Sequence, residues 1–289
     1  MDHWEGFVDV MDHRLFAKSF GEPEKGTVLC LHGGPGMTHD YMLPIADLAE
    51  YGYRVVLYDQ LGCGRSERPK NRALFLMERY AEEVEALRVN MDLGRVHVVG
   101  SSCGGQLAIA YALQHQRNMK SMVTIGGLHN VPLTIREMDK LTEALPPDVL
   151  AVLKKYEAEG EYENPEYLKA VDYFYRKHLC RLPQWPAELS YSLDHVSREV
   201  YHTMNGPNEF IIIGNIRYWD STDRLHTIRV PTLITSGRYD EVPPNVARDM
   251  HKHIKGSKVV IFPNSSHTPF WEERKKFIGV LRRFLDSVG

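Results

Sequence analysis

The first twenty residues alternate between apolar and polar positions. Phe7-Val8-Asp9-Val10-Met11 and Arg14-Leu15-Phe16-Ala17-Lys18-Ser19-Phe20 flank Asp12-His13, a pattern that predicts a β-hairpin. The texture then changes to short unbroken apolar runs: Thr27-Val28-Leu29-Cys30-Leu31, Arg54-Val55-Val56-Leu57-Tyr58, Arg95-Val96-His97-Val98-Val99 and Met119 to Ile125. Runs of this kind suit strands buried on both faces of a parallel sheet. Between them the period lengthens. Tyr80, Val84, Leu87 and Met91 fall at i, i+4, i+7 and i+11, one face of a helix, and Tyr41 to Glu50 predicts a crossover helix ending near Gly52. A further helix is expected from Gly104 to about Gln114. Alternation of strand and helix predicts an α/β fold, a mostly parallel doubly wound sheet.

From about Leu128 to Asp223 the β-branched runs stop, and Pro146-Pro147, Gly160, Asn164-Pro165, Pro183, Pro186 and Gly206-Pro207 punctuate longer polar-apolar stretches. This segment reads as an inserted, mainly helical cap. Strand character returns at Val230-Pro231-Thr232-Leu233-Ile234-Thr235 and Lys258-Val259-Val260-Ile261-Phe262. Phe277, Val280, Leu281, Phe284 and Leu285 then form the apolar stripe of a closing helix. The expected organisation is a core of residues 1–127 and 224–289, interrupted by a cap of residues 128–223.

The chain has 289 residues, 43% of them hydrophobic, enough to bury a large core. Lys+Arg at 35 against Asp+Glu at 38 leaves a net charge of −3. With no basic run to track a phosphate backbone, a nucleic-acid partner is not expected. No apolar stretch approaches the roughly 20 residues needed to span a bilayer, so a soluble protein is expected. Met1-Asp2-His3-Trp4-Glu5 lacks the basic and apolar regions of a secretory leader. The four cysteines, Cys30, Cys63, Cys103 and Cys180, lie far apart with no C-x-x-C pair, as expected of free thiols in a reducing, cytoplasmic compartment.

Gly100-Ser101-Ser102-Cys103-Gly104-Gly105 lies between the strand ending at Val99 and the helix carrying Leu107, Ile109 and Leu113. At such a junction G-x-S-x-G is a nucleophile elbow, a turn tight enough to require glycine on either side and to push the Ser102 hydroxyl above the sheet. A serine hydroxyl is weakly nucleophilic near neutral pH and needs a base oriented by a carboxylate. Asp240 follows the strand ending near Thr235 and His267 follows the strand ending near Phe262, giving the order Ser, Asp, His. The oxyanion formed in acyl transfer needs amide donors already aimed at it. Those expected are the N–H groups of Gly34, in His32-Gly33-Gly34-Pro35-Gly36, and of Cys103. Cys103 opens a helix, where a thiol pKa can fall, but the elbow aims Ser102, not Cys103, at substrate. Asp59 ends an earlier strand and reads as structural. Tyr173, Phe174 and Tyr175 could line an apolar pocket, although an aromatic cluster on a helix is usually core.

These motifs, together with Asp59-Gln60-Leu61-Gly62-Cys63-Gly64-Arg65-Ser66 and Gly237-Arg238-Tyr239-Asp240-Glu241, resemble those of the proline iminopeptidase family of α/β-hydrolase serine peptidases. Met204-Asn205-Gly206-Pro207-Asn208-Glu209-Phe210 is similar to its tricorn-interacting aminopeptidase branch. The resemblance spans nearly the whole chain. It implies release of N-terminal residues, proline and others, from short peptides, with Glu209 and Glu241 holding the free α-amino group. It also implies functional association with a larger protease complex. Many family members carry an aromatic residue where this chain has Cys103, a change that would open the pocket. The expected chemistry is amide hydrolysis through an acyl-enzyme, needing no metal or organic cofactor. The competing readings are an amino-acid amidase or esterase using the same triad, and a binding protein or accessory protease subunit with an idle one.

Overall fold

The structure is a computed structural model that describes residues 3–288. Met1 and Asp2, part of the stretch read above for a leader, and Gly289, the end of the second core segment, lie outside the described residues. The alternating N-terminal segment forms the antiparallel hairpin β1 (His3–Val10) and β2 (His13–Phe20). The unbroken apolar runs become β3 (Gly26–Leu31), β4 (Tyr53–Tyr58), β5 (Val96–Ser101), β6 (Met119–Ile125), β7 (Thr232–Gly237) and β8 (Lys258–Phe262). All eight join one sheet in the order β1-β2-β4-β3-β5-β6-β7-β8. β2 is antiparallel to β1 and β4, and every pairing from β4 to β8 is parallel.

α1 (Met77–Asn90) and α2 (Cys103–His115) follow the helical periodicity of the sequence. Between β6 and β7 run α3 (Val131–Glu143), α4 (Pro147–Glu159), α5 (Pro165–His178), α6 (Ala187–Asp194) and α7 (Arg198–Met204). No strand of the sheet comes from this stretch among the described residues. Pro147 and Pro165, which read as loop punctuation, stand at helix starts, where a missing N–H costs nothing. Asn164 caps α5 by accepting the Glu166 N–H at 2.9 Å. α8 (Pro244–His253), α9 (Pro269–Glu272) and α10 (Arg274–Asp286) complete the chain.

One element differs from expectation. Tyr41 to Glu50 does not form a regular α-helix: His39–Tyr51 winds as tight three-residue turns. Pro44, inside the segment, lacks an N–H and its ring obstructs the α ladder. Gly52, at φ 85°, closes it as the left-handed cap.

The two faces of the sheet separate by residue parity, as a period of two requires. Leu29, Leu31, Val56, Tyr58 and Val98 pack beneath α1, α2 and α8. Val28, Cys30, Val55, Leu57 and Val99 pack beneath α10 and the His39–Tyr51 segment. A third apolar cluster, including Met138, Leu153, Tyr167 and Phe174, belongs to α3, α4 and α5. The chain leaves β3 for β4 on one side and returns to β5 on the other. In open α/β sheets the crevice at such a reversal, beyond the carboxyl ends of the strands, is where ligands bind. Gly34, Ser102, Asp240 and His267 all follow strand ends on that edge.

Candidate active site

Ser102 joins β5 to α2 with φ 56° and ψ −124°, a conformation that costs a non-glycine residue about 1–3 kcal/mol. Its surroundings hold it there. The Ser102 N–H donates to the Ile125 carbonyl at 2.8 Å, and the Ser102 carbonyl accepts from the Gly105 N–H at 2.8 Å. The flanking glycines are required by close approach. A Cβ on Gly100 would overlap the Gly104 carbonyl, and one on Gly104 would overlap the Leu31 carbonyl of β3. The motif thus reflects a helix start pressed against two strand ends.

The candidate base and its orienting acid are both buried. His267 Nδ1 lies 2.6 Å from Asp240 Oδ1. Asp240 is itself fixed: Oδ1 accepts the Val242 N–H at 2.9 Å, and Oδ2 accepts from the Gly237 N–H and the Ser236 hydroxyl, both at 3.3 Å. His267 and Ser102 line one cavity. Nε2, the nitrogen that would serve Ser102, lies 3.6 Å from Glu241 Oε1.

Glu209 and Glu241 both line this cavity. Glu209 sits on the loop after α7, its Oε1 accepting from the Tyr201 hydroxyl at 2.8 Å and its N–H donating to the Tyr175 hydroxyl at 3.3 Å. That loop is fastened by Asn208, whose Oδ1 accepts the Phe210 and Ile211 N–H groups and whose Nδ2 donates to Tyr167. Glu241 follows Asp240 in sequence, and its Oε2 is buried without a hydrogen-bond partner among the described residues. Burial pushes the Glu209 carboxyl up to about 7, with Tyr201 and His267 offsetting only part of the effect. Burial also holds Glu241 well above the usual carboxylate range. Burial alone would depress the imidazole of His267, but Asp240, Glu241 and Glu209 together raise it to about 10. Acidic groups outnumber cations here, and the site suits a ligand that brings a positive charge with several N–H donors.

Two lobes meet at Gly34, Ser102, Glu209 and Glu241. One adds Cys103, Leu128, Met138, Asn205, Ile212, Ile216 and Val242. The other adds Met37, Tyr41, Leu179, Leu189, His267 and Thr268. Cys103 supplies the first N–H of α2, a helix N-terminus with unsatisfied donors suited to developing negative charge. Its thiol does not follow the expectation for a helix start: burial, with a contribution from Glu209, pushes it up to about 12. Asp59 lies elsewhere, accepting the His39 N–H and Nδ1, both at 2.8 Å, and the Arg65 N–H at 2.9 Å. It ties loops together, as expected.

A family model described as alpha/beta hydrolase fold matches residues 26–274. The proline iminopeptidase of Saccharolobus solfataricus is 45% identical, the match covering 98% of this chain and 93% of the relative. The chain belongs to the proline iminopeptidase family of α/β hydrolases. Among solved structures, VinJ is similar with a TM-score of 0.96 and 33% identity, covering 99% of both chains. The proline iminopeptidase of Mycobacterium smegmatis has a TM-score of 0.92 and 32% identity, covering 98% of both.

Of the residues expected at the site, Gly34, Ser102, Cys103, Glu209, Glu241 and His267 line this one cavity and Asp240 touches His267. Several supporting groups had no sequence signal. The His178 carbonyl, ending α5, accepts the N–H of Glu241 at 3.1 Å and the N–H of His267 at 3.2 Å, so one cap carbonyl ties both loops. Tyr41 accepts the Gly33 N–H at 2.7 Å and steadies the loop carrying Gly34. Of the three cap aromatics, Tyr173 is exposed, Phe174 lies in the cap's own cluster, and only Tyr175 touches the site, through Glu209.

Proposed function

We propose that this protein is a serine aminopeptidase of proline iminopeptidase type, releasing proline and other N-terminal residues from short peptides through an acyl-enzyme. The observation that carries this reading is the pair of buried carboxylates, Glu209 and Glu241, lining both lobes beside Ser102. An α-ammonium held between them leaves room for one residue before the scissile carbonyl reaches the serine. His267 takes the Ser102 proton as Oγ attacks, Asp240 stabilises the imidazolium, and the N–H groups of Gly34 and Cys103 receive the oxyanion. His267 then protonates the leaving amine, and water repeats the sequence on the acyl-enzyme.

The proton must reach the leaving amine from His267, so the lobe containing His267 takes the departing peptide. The other lobe, with Leu128, Met138, Ile212, Ile216 and Val242, takes the side chain of the released residue. The division into core (1–127 and 224–289) and cap (128–223) follows the same reading, with the cap supplying Glu209 and the His178 carbonyl. Four buried free thiols support a cytoplasmic location, and short peptides would come from an upstream protease complex, the partner class the resemblance implies.

The test compares prolyl and alanyl p-nitroanilides with their N-acetylated forms. Loss of turnover on acetylation is expected. Equal rates would favour an esterase or amidase that uses the same serine without reading the amine, and absence of labelling by a fluorophosphonate would favour an idle site.

A further inference from the structure

A carboxylate that anchors a substrate amine need not touch the general base, yet Glu241 does: its Oε1 lies 3.6 Å from His267 Nε2, while its Oε2 is buried and unpartnered. No hydrogen bond joins Nε2 to Ser102 Oγ among the described residues; the ring is held at Nδ1 by Asp240. We propose that Glu241 holds the general base away from Ser102 until a substrate α-ammonium takes its place, so that free N-termini are selected in the catalytic step as well as in binding. The inference rests on the reading above, that Glu209 and Glu241 receive the amine.

Three carboxyl groups face the imidazole: Asp240 and Glu241 on the β7–α8 loop and Glu209 on the loop after α7. On the remaining sides, Glu272 of α9 is occupied by Ser266, His178 of α5 by the Tyr239 carbonyl, and Tyr201 by Glu209. Neither lobe is lined by a lysine or arginine. Before substrate arrives, the cation closest to this acidic group is therefore His267 itself, with Nδ1 at 2.6 Å from Asp240 and Nε2 at ion-pair distance, 3.6 Å, from Glu241. The elevated proton affinity of the ring, caused by those same carboxylates, agrees with this arrangement.

The exchange balances in charge. An incoming ammonium brings one positive charge to Glu209 and Glu241, with two N–H donors when the first residue is proline and three for any other residue. His267 releases its Nε2 proton to water, so one cation replaces another, and the nitrogen lone pair becomes available for the Ser102 hydroxyl proton. A substrate capped at nitrogen brings neither charge nor donors, and it meets a base that is still protonated.

The test uses p-nitrophenyl butyrate, a neutral ester without an amine. In the wild type its hydrolysis should rise about tenfold per pH unit above neutrality, because the free base is scarce. An opposite charge at this range shifts a pKa by about 1–3 units. Glu241→Gln should therefore lower the midpoint of the ester pH profile by about that much and raise the rate at pH 7 by about 10-fold to 1000-fold, while weakening turnover of prolyl p-nitroanilide. Pyrrolidinium chloride should accelerate ester hydrolysis by the wild type at pH 7 and have no such effect on the variant. An ester profile with the same midpoint in both proteins, and no acceleration by pyrrolidinium, would overturn the inference. If Glu241→Gln fails to fold, the pyrrolidinium experiment on the wild type decides alone. The two readings fail separately: equal turnover of free and acetylated anilides removes the amine anchor itself. Discrimination between them combined with unmoved ester kinetics removes only the coupling to the base.

Discussion

Gly126 offers a direct test of how tightly the imidazole must be held. It follows β6 at φ 55°, and its N–H donates to the Thr235 carbonyl at 2.9 Å. A Cβ there would lie 2.6 Å from both Cε1 and Nδ1 of His267 and 3.0 Å from Asp240 Oδ2. Ordinary carbon contacts are about 3.5–4.0 Å, so Gly126→Ala forces roughly 1 Å of movement. The backbone of residue 126 is pinned to β7, and His267 is tethered to Asp240 and to the His178 carbonyl. The ring therefore has to shift from its present place. A misplacement near 1 Å costs about 100-fold in rate, or about 2.7 kcal/mol in activation free energy.

The backbone cost of a left-handed alanine is about 1–2 kcal/mol. Gly160→Ala isolates it, since Gly160 has φ 71° and nothing within 4 Å of the added Cβ. Steady-state kinetics on prolyl p-nitroanilide and calorimetric melting should separate the two variants. Gly126→Ala is expected to lose about 100-fold in kcat with KM changed by less than about threefold. Gly160→Ala should lose a comparable few degrees of Tm with kcat intact. A Gly126→Ala enzyme with kcat within about threefold of wild type would refute the argument that this glycine exists to admit the imidazole.

Asp240→Asn replaces a carboxylate whose Oδ1 serves both His267 Nδ1 and the Val242 N–H and whose Oδ2 accepts the Gly237 N–H, so its NH2 must face one of these N–H groups and no charge is left to hold the imidazolium; kcat should fall by about 10⁴, with some loss of melting temperature. Cys103→Trp retains the backbone N–H while obstructing the lobe lined by Leu128, Met138 and Ile212, so kcat/KM for leucyl and methionyl anilides should fall at least tenfold relative to alanyl anilide; an unchanged ranking would mean that this lobe does not receive the N-terminal side chain. Glu83 of α1 is a buried carboxyl whose pKa burial lifts to about 7, with Arg79 and the Leu61 N–H only partly compensating. Its folded pKa exceeds the unfolded value near 4.5, so the folded state binds more protons between the two, and stability is lost as pH rises from about 4.5 to 7. The loss is on the order of 3 kcal/mol at most, and the Tm of Glu83→Gln relative to wild type should be several degrees more favourable at pH 8 than at pH 5. A difference independent of pH would contradict the assignment.

The strands were legible because β3, β4, β5 and β6 are covered on both faces, which leaves nearly unbroken apolar runs. Ser102, Asp240 and His267 were legible because each follows such a run. Pro44 spoiled the one helix read wrongly, since apolar spacing carries no information about a missing N–H. Glu209 was reachable only by resemblance: in sequence it is one acidic residue among many in a polar loop. Gly126 and the His178 carbonyl act through contacts between segments far apart in the chain, Tyr41 and Tyr201 act through turns that bring partners eight residues away within reach, and a backbone carbonyl leaves no trace in residue identity. The thiol of Cys103 shows the limit of local reasoning from the other side. Its place at a helix start suggested a lowered pKa, but burial is the larger effect and raises it.

The charge arrangement has a cost that a serine hydrolase without amine specificity would not need to bear. Asp240 suffices to orient the base, whereas Glu209 and Glu241 add two further buried carboxyls, each with an effective desolvation penalty of several kcal/mol when ionised. Attraction between Glu241 and a protonated His267 at 3.6 Å offsets part of this, about 5 kcal/mol at an effective dielectric constant of 20, but only by occupying the nitrogen that catalysis requires. Stability and activity therefore make opposing demands on one imidazole, and a substrate ammonium meets both, compensating the carboxylates while leaving Nε2 free. Geometry reinforces this coupling. Because the His178 carbonyl receives the N–H groups of both Glu241 and His267, the proposed amine anchor and the proposed base are fixed to the same atom at the end of α5. A peptide seated one residue too deep or too shallow would miss either the carboxylates or the serine, which is the physical content of removing residues one at a time from the N-terminus.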